Sequence, residues 1–163
     1  MTPEDVASTL EVFKALARLE LAVAHFYAAC AHAYPEDRAL WESLEEDEQL
    51  HAAHLDRMGQ ILAEWPADFE GNRSFSTAAV RTFIGYAESA TQRVRSLPRP
   101  KAEYPQILAL AQDMEKSILE SKYSEVVKGS HPEFRALATG LATATAAHRA
   151  RIAAHAAALA GGR

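Results

Sequence analysis

The chain of 163 residues contains one cysteine, Cys30. A lone thiol excludes an internal disulfide, a four-cysteine zinc or rubredoxin-type iron site, and a Cys-x-x-Cys redox pair. Glycine and proline are scarce, at seven each, which argues against a turn-rich β architecture. No run of 18 apolar residues occurs, and no basic-then-apolar segment opens the chain. The expectation is therefore a soluble cytoplasmic protein with no membrane partner. Positive charge is also short: 17 Lys and Arg face 22 Asp and Glu, a formal net charge of −5. That balance argues against a nucleic-acid partner.

What the chain has is apolar periodicity. Hydrophobic residues make up 48% of it, enough for one domain, residues 1–163, with a sizeable core. Long segments follow the helical period, so the fold class is all-α. Thr2 caps the first helix, Pro3 fits its first turn, and Glu4 and Asp5 complement its dipole. Its apolar stripe (Phe13, Leu16, Ala17, Val23, Ala24, Tyr27) runs to about Ala33. Tyr34-Pro35 makes a turn, since the residue before proline leaves the α region. The second helix spans Pro35 to Glu64 and stops at Trp65-Pro66. Residues 65–104 are a long crossover with a short helix of its own, Ser76 to Leu97. The third helix starts near Pro105 and reaches about Lys128, with Leu108, Ala111, Glu115, Ile118, Leu119 and Val126 inward. After Gly129-Ser130-His131 the fourth helix runs from Pro132 to about Ala160. Its stripe is Leu141, Ala144, Thr145, His148, Ile152, His155 and Leu159, and Gly161-Gly162 ends it. The architecture expected is two helical hairpins joined by the crossover.

The inward stripes are interrupted. Glu20 sits mid-stripe on the first helix, Glu48 and His51 on the second, Glu115 on the third, Thr145 and His148 on the fourth. A buried carboxylate is costly unless something cationic meets it, and a divalent metal is the obvious candidate. Glu48-x-x-His51 puts a carboxylate and an imidazole on one helix face, the helix-borne metal motif of four-helix bundles. Alone that motif is weak. Height strengthens it. Glu20 lies about 14 residues before the first turn and Glu48 about 14 after it, so both sit roughly 20 Å from that turn. Glu115 lies about 15 residues before the second turn, and Thr145 and His148 about 15 to 18 after it. The inward polar residues of both hairpins therefore share one level.

Glu20 followed by Phe26-Tyr27, then Glu48-x-x-His51, Met114-Glu115 and a late His resembles the ferritin-like superfamily, and rubrerythrin-type proteins most. The resemblance covers about residues 8–155. It implies an up-down four-helix bundle holding iron. Glu20, Glu48, His51, Glu115 and His148 match the ligand positions, with Glu48 bridging or anchoring and Glu20 and Glu115 terminal. It further implies a redox protein of the di-iron oxidoreductase or peroxidase type acting on O2 or peroxide, an external electron donor, and a homodimer. The chain departs from the pattern at Thr145, where a second Glu-x-x-His would begin, and at Ile118, where rubrerythrins carry an extra Glu. Tyr123 falls one residue late relative to its symmetry mate Tyr27, and the rubredoxin domain is absent. Three carboxylates and two imidazoles suit one metal well, or two with one held weakly. Mn or Zn would fit such O/N donors as Fe does. The departures also point to an alternative, a non-catalytic bundle for metal sequestration or protein assembly.

The other polar residues have plainer readings. Tyr27, one heptad after Glu20, reads either as a hydrogen-bond donor to a ligand carboxylate or as an ordinary core tyrosine. His54 points off the stripe, His155 packs a heptad beyond His148, and His25, His32 and His131 are surface or turn residues. Glu45-Glu46-Asp47 reads as a solvated face.

Overall fold

The protein is mostly helical in its computed structural model, which describes residues 1–71, 77–96, 100–116 and 126–161. Five helices lie among these residues: α1 (Pro3–Ala33), α2 (Arg38–Glu64), α3 (Thr77–Arg95), α4 (Pro100–Glu115) and α5 (Pro132–Gly161). None of them is long and apolar enough to cross a membrane.

The cap of α1 forms reciprocally. Thr2 Oγ1 accepts from the Asp5 N–H at 3.1 Å, and the Thr2 N–H donates to Asp5 Oδ2 at 3.2 Å. Between Thr9 and Ala31 only Glu11, Lys14, Arg18, Leu21 and His25 are exposed, a stripe one residue wide. The rest is covered because α1 packs against α2 on one side and α3 on another. The crossover helix thus lies on α1 and forms no core of its own. Tyr34 ends α1 at φ −125° and ψ 71°, and Pro35–Asp37 forms a 3-10 turn. The regular part of α2 therefore begins at Arg38, three residues later than the spacing predicted. Its buried face holds Trp41, Leu44, Glu48, His51, Ala52, Leu55 and Leu62, with the Glu48-x-x-His51 pair on it.

The second half differs more from expectation. Helix α4 begins at Pro100, not at Pro105. Pro100 takes the first helical position, where a missing N–H costs nothing. Pro105 lies inside and forgoes the bond to the carbonyl four residues back. The expected extension of this helix to Lys128 is corrected at its far end. Val127–Gly129 is a strand, β2, paired antiparallel with β1 (Phe69–Gly71), Phe69 opposite Gly129 and Gly71 opposite Val127. Ser76, Leu97, Ile118, Leu119, Tyr123 and Gly162, all assigned parts above, lie outside the described residues.

The ladder ties the end of α2 to the start of α5. Gly129 is required there, because a Cβ would strike the Phe69 ring. That ring packs edge-on against Phe134 at 4.9 Å, and Phe134 against Phe13 at 5.9 Å. Arg57 adds a paired contact to Glu133 at 2.8 and 2.9 Å. Helix α5 packs on α4 and α2. Leu141, Thr145, His148 and Ile152 are buried, but Leu159 is 38% exposed. The inward stripe ends earlier than predicted for a geometric reason. Tyr104, in the second turn of α4, meets His155, so Leu159, one turn on, has little of α4 left to pack against.

Candidate metal centre

Helices α1, α2, α4 and α5 each place a polar side chain on an apolar face, and these side chains meet. Glu20, Glu48, His51, Glu115 and His148 are each at most 5% exposed. Glu48 joins the group. Its Oε2 lies 2.9 Å from His51 Nδ1 and its Oε1 2.9 Å from His148 Nδ1. Glu20 Oε2 stands 3.9 Å from His51 Nδ1, and Glu115 Oε1 stands 3.4 Å from His148 Nδ1. The two imidazoles are nearly parallel, with centroids 5.1 Å apart and planes 17° apart. Glu48, His51 and His148 offer ligand atoms that all lie within 4.8 Å of one another. This buried group could hold a metal ion. All five residues matched to ligand positions come together; the count by height is met along α1 and α2, while beyond Glu115 it assumed a helix to Lys128 where Val127–Gly129 is a strand.

The electrostatics follow from burial and pairing. Burial, then the charge of Glu48, push the Glu20 carboxyl well above the usual carboxylate range. Burial likewise raises Glu115, against the opposing hydrogen bonds of His148 and Tyr27. Burial would raise Glu48 too, but hydrogen bonds with Glu20, His148 and His51 outweigh it and hold Glu48 well below that range. Burial disfavours both imidazolium ions. Hydrogen bonds to Glu20 and Glu48 nevertheless push His51 up to about 10, and those to Glu115 and Glu48 push His148 up to about 9. Without a metal, the imidazolium ions supply the positive charge that Glu48 needs, and protons on the outer carboxyls remove competing negative charge. A divalent cation would take the same place by displacing them.

Supporting contacts surround this core. Tyr27 donates to Glu115 Oε1 at 2.5 Å, the partner class its spacing suggested. Asp47 is a correction to the reading of Glu45-Glu46-Asp47 as merely solvated. Its Oδ2 lies 3.2 Å from His148 Nε2 and 2.5 Å from Arg151 Nη2, while Arg151 Nη1 donates to Ser43 Oγ at 2.8 Å. A carboxylate on the outer nitrogen fixes the ring and its tautomer, as is usual behind metal-bound imidazoles. Period could not reveal this, because Asp47 belongs to the flank of α2 and gains its role only from where α5 docks. His155 also does more than pack: its Nε2 lies 3.1 Å from Tyr104 Oη and 3.3 Å from Asp37 Oδ2. His54 is half-buried and joins no ligand-like group among the described residues. His25 and His32 are exposed, and His131 lies beside Trp65 at a ring distance of 6.3 Å. Thr145 is buried one turn before His148, so α5 brings a hydroxyl where a carboxylate would complete a second Glu-x-x-His.

No family model, curated protein or solved structure matches the chain.

Proposed function

We propose that the protein is a rubrerythrin-like member of the ferritin-like class: a four-helix bundle of α1, α2, α4 and α5 that binds iron and serves redox chemistry with O2 or peroxide. One observation carries this reading. Glu48 turns one oxygen to each of two histidine Nδ1 atoms, between Glu20 and Glu115, in an interior no more than 5% exposed. Mixed carboxylate and imidazole donors suit Fe, Mn or Zn, and three carboxylates fall short of neutralising two divalent ions. One ion is held well and a second weakly. Glu48 would hold the metal centrally, Glu20 and Glu115 would each add a carboxylate, and His51 and His148 would supply nitrogen. Asp47 holds the outer nitrogen of His148, Tyr27 orients Glu115, and the apolar walls exclude water. A metal held there would supply electron-transfer or Lewis-acid chemistry. The electron donor is external, and a homodimer is the expected assembly.

The test is direct. Anaerobic reconstitution with ferrous iron should leave about one to two ions per chain by elemental analysis, and peroxide should oxidise them optically. Retention below about a tenth of an equivalent would remove the reading. Thr145 favours a second reading, a non-catalytic bundle for metal sequestration or assembly. Metal bound without peroxide-driven turnover would select it.

A further inference from the structure

An aromatic path leads away from the centre toward the Pro35–Asp37 turn. Tyr27, whose hydroxyl donates to Glu115, stacks on Trp41 with ring centroids 5.7 Å apart and planes at 26°. Trp41 meets Tyr104 edge-on at 6.3 Å. Tyr104 stacks on Tyr34 at 4.1 Å. All four rings are buried. Beyond Tyr104 stand His155 and Asp37, whose side chains are 22% and 21% exposed. The path thus begins on a carboxylate of the centre and ends on an acid–base pair that touches solvent.

Tyrosine and tryptophan rings are the side chains most easily oxidised by one electron in a protein interior. Rings in such close succession exchange electrons readily. A phenol gives up its electron easily only when its proton has somewhere to go. Tyr104 has such a place: its Oη lies 3.1 Å from His155 Nε2, the nitrogen that also stands 3.3 Å from Asp37 Oδ2. Tyr34 has none, because its hydroxyl is buried without a hydrogen-bond partner among the described residues. The two stacked phenols are therefore chemically unequal.

We propose that Tyr27, Trp41 and Tyr104 form a relay that carries single oxidising equivalents from the centre to the Pro35–Asp37 end, where Tyr104 holds the hole as a neutral tyrosyl radical. The relay starts when a one-electron oxidant removes an electron from the Tyr27–Trp41 stack, leaving the Trp41 radical cation. Tyr104 then gives one electron to Trp41 and its phenolic proton to the His155–Asp37 pair. The products are a neutral indole, a neutral tyrosyl and one added proton shared by the His155 imidazole and the Asp37 carboxylate. Run backwards, the same path admits electrons from an external donor, which a chain with one buried cysteine must obtain without a cysteine-bound cluster of its own. Supply of the oxidant by a metal in the centre rests on the function proposed above. Conduction along the rings does not.

The experiment therefore uses chelator-treated, metal-free full chain. A ruthenium polypyridyl photo-oxidant is tethered at Leu21→Cys, an exposed site next to Glu20, while the native Cys30 is fully buried. Tyr86 and Tyr123 are replaced by Phe to remove competing phenols. Flash oxidation should yield a neutral tyrosyl radical by electron paramagnetic resonance, preceded by an indole radical in transient absorption. The tyrosyl signal should be strongly diminished in Tyr104→Phe, what remains being Tyr27, whose proton can pass to Glu115, and should persist in Tyr34→Phe. His155→Gln should slow tyrosyl formation and shorten its lifetime while circular dichroism stays unchanged. Trp41→Phe, if equally helical, should remove the fast phase. An undiminished tyrosyl signal in Tyr104→Phe, its loss in Tyr34→Phe, or unchanged kinetics in both His155→Gln and Trp41→Phe would overturn the relay. None of these outcomes depends on whether the centre binds metal.

Discussion

Replacing Glu48 by Gln in the metal-free protein probes the centre most sharply. The substitution keeps volume and removes the charge that both imidazoles face at 2.9 Å. Removing one partner of a buried ion pair costs about 3–5 kcal/mol, because the other charge stays buried and unpaired. The amide oxygen can still accept from one imidazole, which returns about 1 kcal/mol. The net loss at pH 7 should be about 2–4 kcal/mol, measured by urea denaturation after chelation. The sign with pH follows from the histidines. Their folded pKa values are raised, to about 10 and about 9. The stability they contribute is fully present below the unfolded value of about 6.5 and is lost as pH rises through 9 to 10. The penalty of Glu48→Gln should therefore shrink between pH 7 and pH 10. A penalty below about 1 kcal/mol at pH 7, or one that does not change by pH 10, would refute the protonated-imidazole account.

Three further outcomes follow from the same geometry. Because metal must displace protons from imidazoles held above neutral pH, apparent affinity should rise from pH 6 to pH 8, and calorimetry in buffers of different ionisation enthalpy should register proton release. Asp47→Asn should weaken metal binding by about 10–100-fold in a chelator competition, with little change in the stability of the metal-free chain, since Asp47 is partly exposed. Thr145→Glu should raise the metal content of the reconstituted chain toward two ions while destabilising the metal-free form by several kcal/mol, read by elemental analysis and denaturation together.

The helical architecture and the five converging residues were legible because both depend on local period. A Glu or His on an apolar stripe announces itself, and counting residues from a turn gives its height. Contacts set by docking were not legible. Asp47 lies in an acidic run with no sign that α5 will bring His148 and Arg151 to it. The strands Phe69–Gly71 and Val127–Gly129 are three residues each and pair across more than fifty positions, so neither has a period to read. Pro105 misplaced the start of α4 because proline is a frequent helix opener, and Pro100 already fills that role. His155 was read for packing because its partner Tyr104 sits on another helix whose register the chain alone does not fix.

The narrow exposed stripe of α1 has an evolutionary consequence. With neighbours on nearly every side, this helix offers drift between Thr9 and Ala31 only at Glu11, Lys14, Arg18, Leu21 and His25. A saturation library should show tolerance recurring every three to four residues along it, with near-uniform intolerance between. Diversity among descendants of this chain should therefore accumulate on other segments first.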